Sequence, residues 1–365
     1  MKDKTSSTIT SKQLIFVIIG SQIGAGIFAL PRMVSGKAGE DAWISVVLGA
    51  IIPFLSVFLI ERLGRRMPQM GFTQMALGLF GKNVGSVLII LFIAYVLLFE
   101  SLVVRSFAEI ANLYLLPKTP LAVVLLFITI SIVYIGSKGV RVLARLNEIL
   151  FYFGVLLLFI LIIPVGQADY TNILPVGEAG LKGIARGALT TAYSFAGTEV
   201  LLVFYSLVNK QEEVLKAGLI AVCITTLLYL AMVITCLLVF GVNNLQRILW
   251  PGLMLLKVSQ VPVLERLEFI FLVFWMGMGA RPAVNMGFAA SLSLSQLLKI
   301  DEKKYNTYAL MFIALAIYIL ALLPHNLLSV FKLWDYAGYG FLIIGLGYPL
   351  LYHLAAFMRG GKMLV

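Results

Sequence analysis

The sequence predicts an all-α integral membrane protein with ten transmembrane helices, arranged as two inverted five-helix repeats. Of its 365 residues, 61% are apolar and 12% charged, and the mean hydropathy is +1.01. Ordinary water-soluble domains do not have this composition. Apolar runs long enough to span a bilayer recur along the chain. Stretches of glycine and other small residues interrupt the first and sixth runs, so helices 1 and 6 are predicted to be broken.

Short connections join the predicted spans, which indicates a single polytopic membrane domain over residues 1–365. Because the first run is long, we expect it to be a span rather than a signal peptide. The third and eighth runs exceed the roughly 20 residues needed to cross the hydrocarbon, so these helices should tilt or project beyond it. The ten spans are 12–35, 41–61, 84–115, 119–136, 143–164, 182–207, 214–240, 263–296, 305–323 and 333–357.

Two further elements are predicted outside the spans. Residues 72–81 have the pattern of a short interfacial helix that precedes the third span. Residues 243–260 form the longest loop, and Pro251 within it is suited to the first turn of a helix.

Lysine and arginine residues are distributed unevenly between the two ends of the predicted spans. With the N-terminus inside, 17 of them fall on the inner side and nine on the outer side. Because cytoplasmic loops carry the excess of basic residues, both termini are predicted to be cytoplasmic. The formal charge of +11 therefore reflects membrane topology and does not indicate a nucleic-acid partner.

The break in the first span contains Gly20, Gly24 and Gly26, and Pro31 follows it. An unpaired backbone group in hydrocarbon costs several kcal/mol, so an unwound stretch persists only where it lines a protein or water cavity. Two interpretations are open. The freed backbone groups could hold a small ligand, or the glycines could let a neighbouring helix approach closely.

The sixth span has a comparable interruption at residues 192–199, which contains Gly197 and ends in Glu199. With five spans in each half, the second half must enter the membrane from the opposite side. The first repeat then covers residues 12–164, and the second covers 182–323 together with the last span at 333–357. Corresponding breaks in two inverted halves indicate a binding site near the membrane midplane.

The chemistry of the two breaks favours a zwitterionic ligand. The half-helix that begins near Gly26 offers unpaired N–H groups and the positive end of a helix dipole, which suit a carboxylate. The helix ends near Gly20 and Phe195 offer carbonyl oxygens to an ammonium group. An amino acid satisfies both ends, whereas a lone carboxylate or an ion would satisfy one.

Charged residues inside spans are costly and normally face the bundle interior. Arg105 and Glu109, four residues apart on one helical face, are expected to pair. Arg281 precedes a helix-kinking proline, and its expected partner is Glu100 or Glu199. The intramembrane charges are Glu100, Arg105, Glu109, Glu199, Glu268 and Arg281.

Glu199 has two interpretations. It could be a charge stabilised at a helix start, where Thr198 caps the first turn. It could instead hold an ammonium group or carry a proton. The sequence has no nucleophile–base or metal-ligand spacing, so no enzyme activity, catalytic residue, cofactor or metal site is expected.

The motifs at both breaks resemble those of the amino acid–polyamine–organocation (APC) transporter superfamily. Its first span carries G-S/A-x-I-G-x-G-I-F, matched at residues 20–28, and its sixth carries a small-residue break ending in Glu, matched at 195–199. Across nearly the whole chain the sequence more narrowly resembles the B subunit of spore germinant receptors. This narrower resemblance rests on the ten-span size, Gly24-Ala25-Gly26, Leu30-Pro31, Arg105 and Glu109, residues 194–200, Trp250-Pro251, residues 265–268 and residues 335–339.

The resemblance implies the LeuT-like transporter fold, used to recognise a small-molecule germinant, often an amino acid. It implies a location in the inner membrane of the spore, in contact with membrane lipid, and a complex with germinant receptor A and C subunits. The alternative within the same fold is a proton-coupled amino acid transporter with Glu199 as the proton carrier. By position, the ligand-binding residues are Gly24, Ala25, Gly26, Ile27, Tyr95, Phe99, Phe195, Ala196, Gly197, Thr198, Glu199 and Met276.

Overall fold

The computed structural model describes residues 8–68, 70–160, 166, 168–258, 267–300 and 302–358. Within these ranges every regular element is helical, apart from an isolated β-bridge between Ile9 and Val208. This confirms the predicted all-helical class.

The α-helices are numbered α1 to α16 in chain order. A 3-10 helix, Ala25–Phe28, lies between α1 and α2, and a second, Thr198–Val200, lies between α8 and α9. A π-helical segment, Leu342–Gly347, joins α15 to α16. The helices are α1 Ser11–Gln22, α2 Leu30–Ala38, α3 Ala42–Gly49, α4 Ile51–Arg66, α5 Phe72–Tyr114, α6 Leu121–Ser137, α7 Val140–Ile160, α8 Gly180–Ser194, α9 Leu201–Phe204, α10 Val214–Leu245, α11 Pro251–Val258, α12 Leu267–Gly279, α13 Arg281–Leu297, α14 Glu302–Leu322, α15 Leu327–Phe341 and α16 Tyr348–Met358.

Four helical stretches in the described residues are long and apolar enough to cross a membrane by themselves. A fifth is the bent pair Gly180–Ser194 and Thr198–Leu207, whose two parts differ in direction by 45°. The number of ten spans stays a prediction, because the other predicted spans are shorter, interrupted or extend beyond the described ranges. The four stretches are Leu30–Arg66, Phe72–Tyr114, Gln211–Leu245 and Leu327–Met358.

Three further features predicted outside spans one and six are also present: the helix before the third span, the kink in the eighth span and the helix start at Pro251. The expected helix at 72–81 forms the first part of α5, which bends at Gly81, where φ is 74°. The eighth span is divided at Ala280 into α12 and α13, with Pro282 in the first turn of α13. Pro251 begins α11 within the predicted long loop.

The centre of the bundle is formed around α13, which packs against α5, α14, α1 and α6. Its buried surface is rich in alanine, glycine and serine, and such small residues let membrane helices approach closely. The outer faces of α6 and α14 instead expose large apolar side chains such as Phe127 and Phe312. Exposed apolar surface of this kind is suited to contact with lipid chains.

Candidate ligand-binding site between the two broken spans

The breaks of spans one and six lie directly against each other. Helix α1 ends at Gln22 and α8 ends at Ser194. Gly197 follows with φ +112°, a conformation that disfavours any residue with a side chain. A Cβ atom at this position would lie 2.3 Å from the carbonyl oxygen of Ser21. Glycine is therefore required at this position for the broken segments of spans one and six to approach each other.

Gln22 joins the two breaks to α10. Its amide nitrogen donates to the Thr198 hydroxyl at 2.7 Å, and its amide oxygen accepts from the Thr225 hydroxyl at 2.6 Å. The Thr198 hydroxyl donates to the Phe195 carbonyl at 2.9 Å. The expectation that Thr198 caps the following helix is therefore wrong, because its hydroxyl closes the end of the preceding one.

Tyr229 on α10 contacts the C-terminal ends of both half-helices. Its hydroxyl lies 2.9 Å from the carbonyl oxygen of Gln22 and 2.7 Å from that of Ser194. A phenol has one hydrogen to donate, so it satisfies one of these carbonyls at a time. The other carbonyl keeps a free acceptor position, and the prediction that this end of the site binds an ammonium group stays a prediction.

The glycines of span one have two different roles. A Cβ atom on Gly20 would lie 1.9 Å from Oδ1 of Asn147 on α7, so this glycine allows close packing. A Cβ atom on Gly26 would meet nothing within 4 Å, and Gly26 is exposed although its neighbours are buried. Close packing therefore explains Gly20, whereas Gly26 has the free space that a ligand-facing position requires.

The space beside Gly26 is a cavity of about 70 Å³. The cavity is therefore larger than the roughly 10–15 Å³ that a single water molecule needs. None of its lining residues carries a charged side chain. The lining residues are Ser21, Gln22, Gly24, Ala25, Gly26, Ala29, Met33, Phe99, Val103, Ser106, Thr190, Tyr193, Ser194, Ala196, Tyr229, Trp250, Pro282, Phe331 and Trp334.

Two of the residues that line the cavity, Ala25 and Gly26, lie at the start of a helix. Ala25 and Gly26 open the 3-10 helix Ala25–Phe28 and precede its first hydrogen-bonded turn. No backbone acceptor for these two amides is present among the described residues. Donors at a helix start favour an anionic group such as a carboxylate.

Aromatic side chains form the wall opposite the breaks. Phe99 contacts Trp334 edge to face with ring centres 5.0 Å apart, and Trp250 lies 5.8 Å from Phe331. Nε1 of Trp334 donates to the Ser106 hydroxyl at 3.1 Å, which fixes the orientation of that indole. The cavity thus joins polar backbone groups on one side to an apolar wall on the other.

Five of the predicted ligand-binding residues line this cavity, namely Gly24, Ala25, Gly26, Phe99 and Ala196. The others lie outside its lining. Tyr95 lines a separate apolar groove of about 600 Å³ between α5, α14 and α15. Met276 is partly buried against the core. Besides Tyr95 and Met276, this second group contains the buried residues Ile27, Phe195, Gly197, Thr198 and Glu199. Ligand contact stays a prediction for both groups.

The predicted intramembrane ion pair forms, but the predicted partner of Arg281 is wrong. Nε of Arg105 donates to Glu109 at 2.8 Å, and its Nη1 donates to the Ala321 carbonyl at 2.9 Å. Nε of Arg281 donates instead to the Met278 carbonyl at 3.0 Å, in the turn that links α12 to α13. No carboxylate of a described residue forms an ion pair with Arg281.

Some residues of the predicted intramembrane charges and family motifs lie outside the part of the chain that the structure describes. The side chains of Glu268 and Asp335 belong to this group, as do residues 265 and 266 of the motif before α12. Within the described ranges, no group of histidine, cysteine, aspartate and glutamate side chains could hold a metal ion.

Sequence reasoning missed the polar residues that organise the site. Gln22 lies in the first-span motif, so its place beside the break was a usable signal. Tyr229 and Trp334 lie in apolar helices where aromatic residues usually pack, and the sequence alone gives no sign of their role. Asn285 was also missed, although its amide nitrogen contacts Asn147 at 3.2 Å and Ser21 at 3.0 Å and so braces α1 against α7 and α13.

Two broken helices that meet inside an apolar helical bundle define an integral membrane protein of the LeuT-type transporter fold. The crystal structure of MhsT in complex with L-phenylalanine has this fold, with a TM-score of 0.70 at 17% identity, covering 98% of this chain and 90% of that chain. Residues 8–329 match the sequence profile of a family described as spore germination protein. The chain belongs to this family.

Two relatives match nearly the full length of the chain. Spore germination protein YndE of Bacillus subtilis strain 168 is 30% identical over 337 residues, which cover 90% of this chain and 91% of the relative. Spore germination protein GerQB of Bacillus cereus is 26% identical over 352 residues, which cover 94% of each chain. The predicted family is thereby confirmed.

Proposed function

We propose that this chain is the nutrient-sensing subunit of a spore germinant receptor and binds an amino acid between the breaks of spans one and six. One observation supports this proposal above the others. Ala25 and Gly26, whose amides have no backbone acceptor among the described residues, line a cavity that Gln22 and Ser194 also line, and the carbonyls of Gln22 and Ser194 share one Tyr229 hydrogen. This arrangement suits a ligand with a carboxylate at one end and an ammonium group at the other.

The cavity limits the ligand in size and charge. A volume of about 70 Å³ favours a small ligand, such as alanine or serine. Because no lining side chain is charged, a ligand with a charged side chain would bring an unpaired charge into the cavity. We therefore expect small amino acids with uncharged side chains to bind best.

The ligand would act by changing the balance between two conformations of the bundle. A ligand shifts such an equilibrium only if it binds the two states with different affinity. A ligand held by both breaks would couple α1 and α2 of span one to α8 and α9 of span six. Receptor A and C subunits in the inner spore membrane would receive the signal, with both termini of this chain in the cytoplasm.

The alternative function is a proton-coupled amino acid transporter of the same fold. Its support is Glu199, a carboxyl group that is fully buried immediately after the second break. The purified chain in lipid vesicles, without partner subunits, distinguishes the two functions. Concentrative uptake of labelled alanine driven by a proton gradient would overturn the pure-receptor proposal, whereas binding without uptake supports it.

The ligand site is tested with Gly26→Leu. The added side chain would enter open space and fill the cavity, so we expect at least a tenfold loss of affinity for labelled alanine or serine with normal abundance in the membrane. Equilibrium binding of the labelled amino acid to the purified protein, with unlabelled lysine and glutamate as charged competitors, provides the measurement.

Gly277→Leu is the matched control, because a Cβ atom there also meets nothing within 4 Å and Gly277 does not line the cavity. Equal binding by both variants and the wild type would contradict the proposed site.

A further inference from the structure

Glu100 on α5 is a buried carboxyl group without a hydrogen-bond partner. Its side chain is 0% exposed, and neither of its carboxyl oxygens has a partner among the described groups. A buried polar group normally finds a partner, so each exception requires an explanation. Burying an unpaired carboxylate costs far more than burying the neutral acid.

Glu199 and Tyr95 lie close enough to Glu100 to interact with it electrostatically, and neither carries a positive charge. Two arginines are buried in the described part of the bundle, and neither forms an ion pair with Glu100. Arg105 pairs with Glu109 and contacts the Ala321 carbonyl. Nε of Arg281 donates to the Met278 carbonyl, and its Nη1 has no hydrogen-bond partner among the described groups. The charge of Glu100 is therefore not balanced by a basic side chain.

Glu199 has a different environment, although it is equally buried. Its Oε1 accepts from the Tyr95 hydroxyl at 2.5 Å, and its Oε2 accepts from the backbone amide of Gly197 at 2.8 Å. Hydrogen bonds donated to both oxygens stabilise the ionised form of a carboxyl group. Two neighbouring carboxyl groups without a cation cannot both be ionised cheaply in a dry interior. The neutral member of the pair is then Glu100.

We propose that Glu100 and Glu199 form a pair that binds one exchangeable proton, held on Glu100 in this conformation. The pair is linked to the ligand cavity at two points. Phe99, the residue before Glu100, lines the cavity, and Gly197, which donates to Glu199, is the residue at the second break. A movement of that break would remove the Gly197 hydrogen bond that stabilises ionised Glu199, so the proton would move from Glu100 to Glu199. Rearrangement of the bundle would thereby be coupled to proton binding.

Infrared spectroscopy of the purified full chain in lipid nanodiscs tests this proposal without a ligand. A protonated carboxyl group gives a C=O stretching band distinct from those of carboxylate and amide, and the band shifts in D₂O. We expect this band in the wild type at neutral pH, its loss in Glu100→Gln, and its retention in Glu199→Gln. Absence of the band from the wild type, or its full persistence in Glu100→Gln, would overturn the proposal.

Glu109→Gln is the matched control, because it is the same substitution on the same helix and removes a carboxylate that pairs with Arg105. Its spectrum should keep the protonated-carboxyl band at full intensity. Thermal stability in detergent gives a second measurement, since glutamine has the shape of the neutral acid. Glu100→Gln should be as stable as the wild type, and a large loss would indicate an ionised Glu100. None of these outcomes depends on the proposed ligand site.

Discussion

The breaks of spans one and six differ in how their backbone groups are satisfied. At the first break, Gly26 is exposed to open space and the amides beside it have no backbone acceptor among the described residues. At the second, the Gly197 amide bonds to Glu199, and the Thr198 hydroxyl bonds to Gln22 and Phe195. The first break therefore has amides that can bind a ligand, whereas the Gly197 amide and the Thr198 hydroxyl at the second break are already bonded to protein groups.

The largest expected effect follows from adding a methyl group at the closed break. Gly197→Ala places a Cβ atom 2.3 Å from the Ser21 carbonyl oxygen at a residue with φ +112°. Backbone strain and steric overlap together should destabilise the protein by about 2–5 kcal/mol. Thermal unfolding and the yield of monodisperse protein in detergent provide the measurement.

Gly277→Ala is the control for this prediction, since a Cβ atom at Gly277 meets no other group. Equal stability of the two variants would mean that the breaks are not in the close contact described above.

A smaller effect is expected from removing the hydrogen bonds that Gln22 makes between the two breaks and α10. Gln22→Leu leaves the Thr198 hydroxyl without a donor and the Thr225 hydroxyl without its acceptor, both in buried positions. Each unsatisfied buried group costs about 1–3 kcal/mol, so stability should fall by at least the lower value. Unfolding of the purified variant measures this loss.

Gln246→Leu serves as the comparison, because Gln246 is exposed and water can replace its bonds to Arg32 and Ser35. If Gln246→Leu proved the more damaging substitution, the Gln22 bridge would not be what holds the breaks together.

The smallest effect concerns the shared hydroxyl of Tyr229. Tyr229→Phe leaves both the Gln22 and the Ser194 carbonyl without its donor and should cost about 1 kcal/mol in the ligand-free protein. At saturating alanine or serine the loss should shrink, because the ligand's ammonium group would donate to the same carbonyls. Unfolding with and without the amino acid measures the difference; an identical loss under both conditions would contradict an ammonium group at this position.

The sequence predicts the helical bundle and the two breaks because glycine, proline and hydropathy determine the backbone conformation and membrane insertion of the segment in which they occur. Gly24, Ala25, Gly26 and Ala196 could be placed at the cavity for that reason. The bridge from Gln22 to Thr225 joins residues separated by 203 positions, and no local pattern specifies such a contact. The wrong partner for Arg281 has the same origin, because the rotation of α13 determines which group its guanidinium reaches.

The Tyr229 hydroxyl, with one hydrogen between two acceptors, has a consequence for selectivity. A site with an unfilled acceptor rejects an analogue that lacks the matching N–H, because a buried polar group then stays unpaired. Betaine-like compounds keep the carboxylate and the positive charge of an amino acid, but their nitrogen carries no hydrogen. They would leave the carbonyls of Gln22 and Ser194 to compete for a single donor, so the pocket would discriminate between molecules of the same net charge by the presence of an N–H donor.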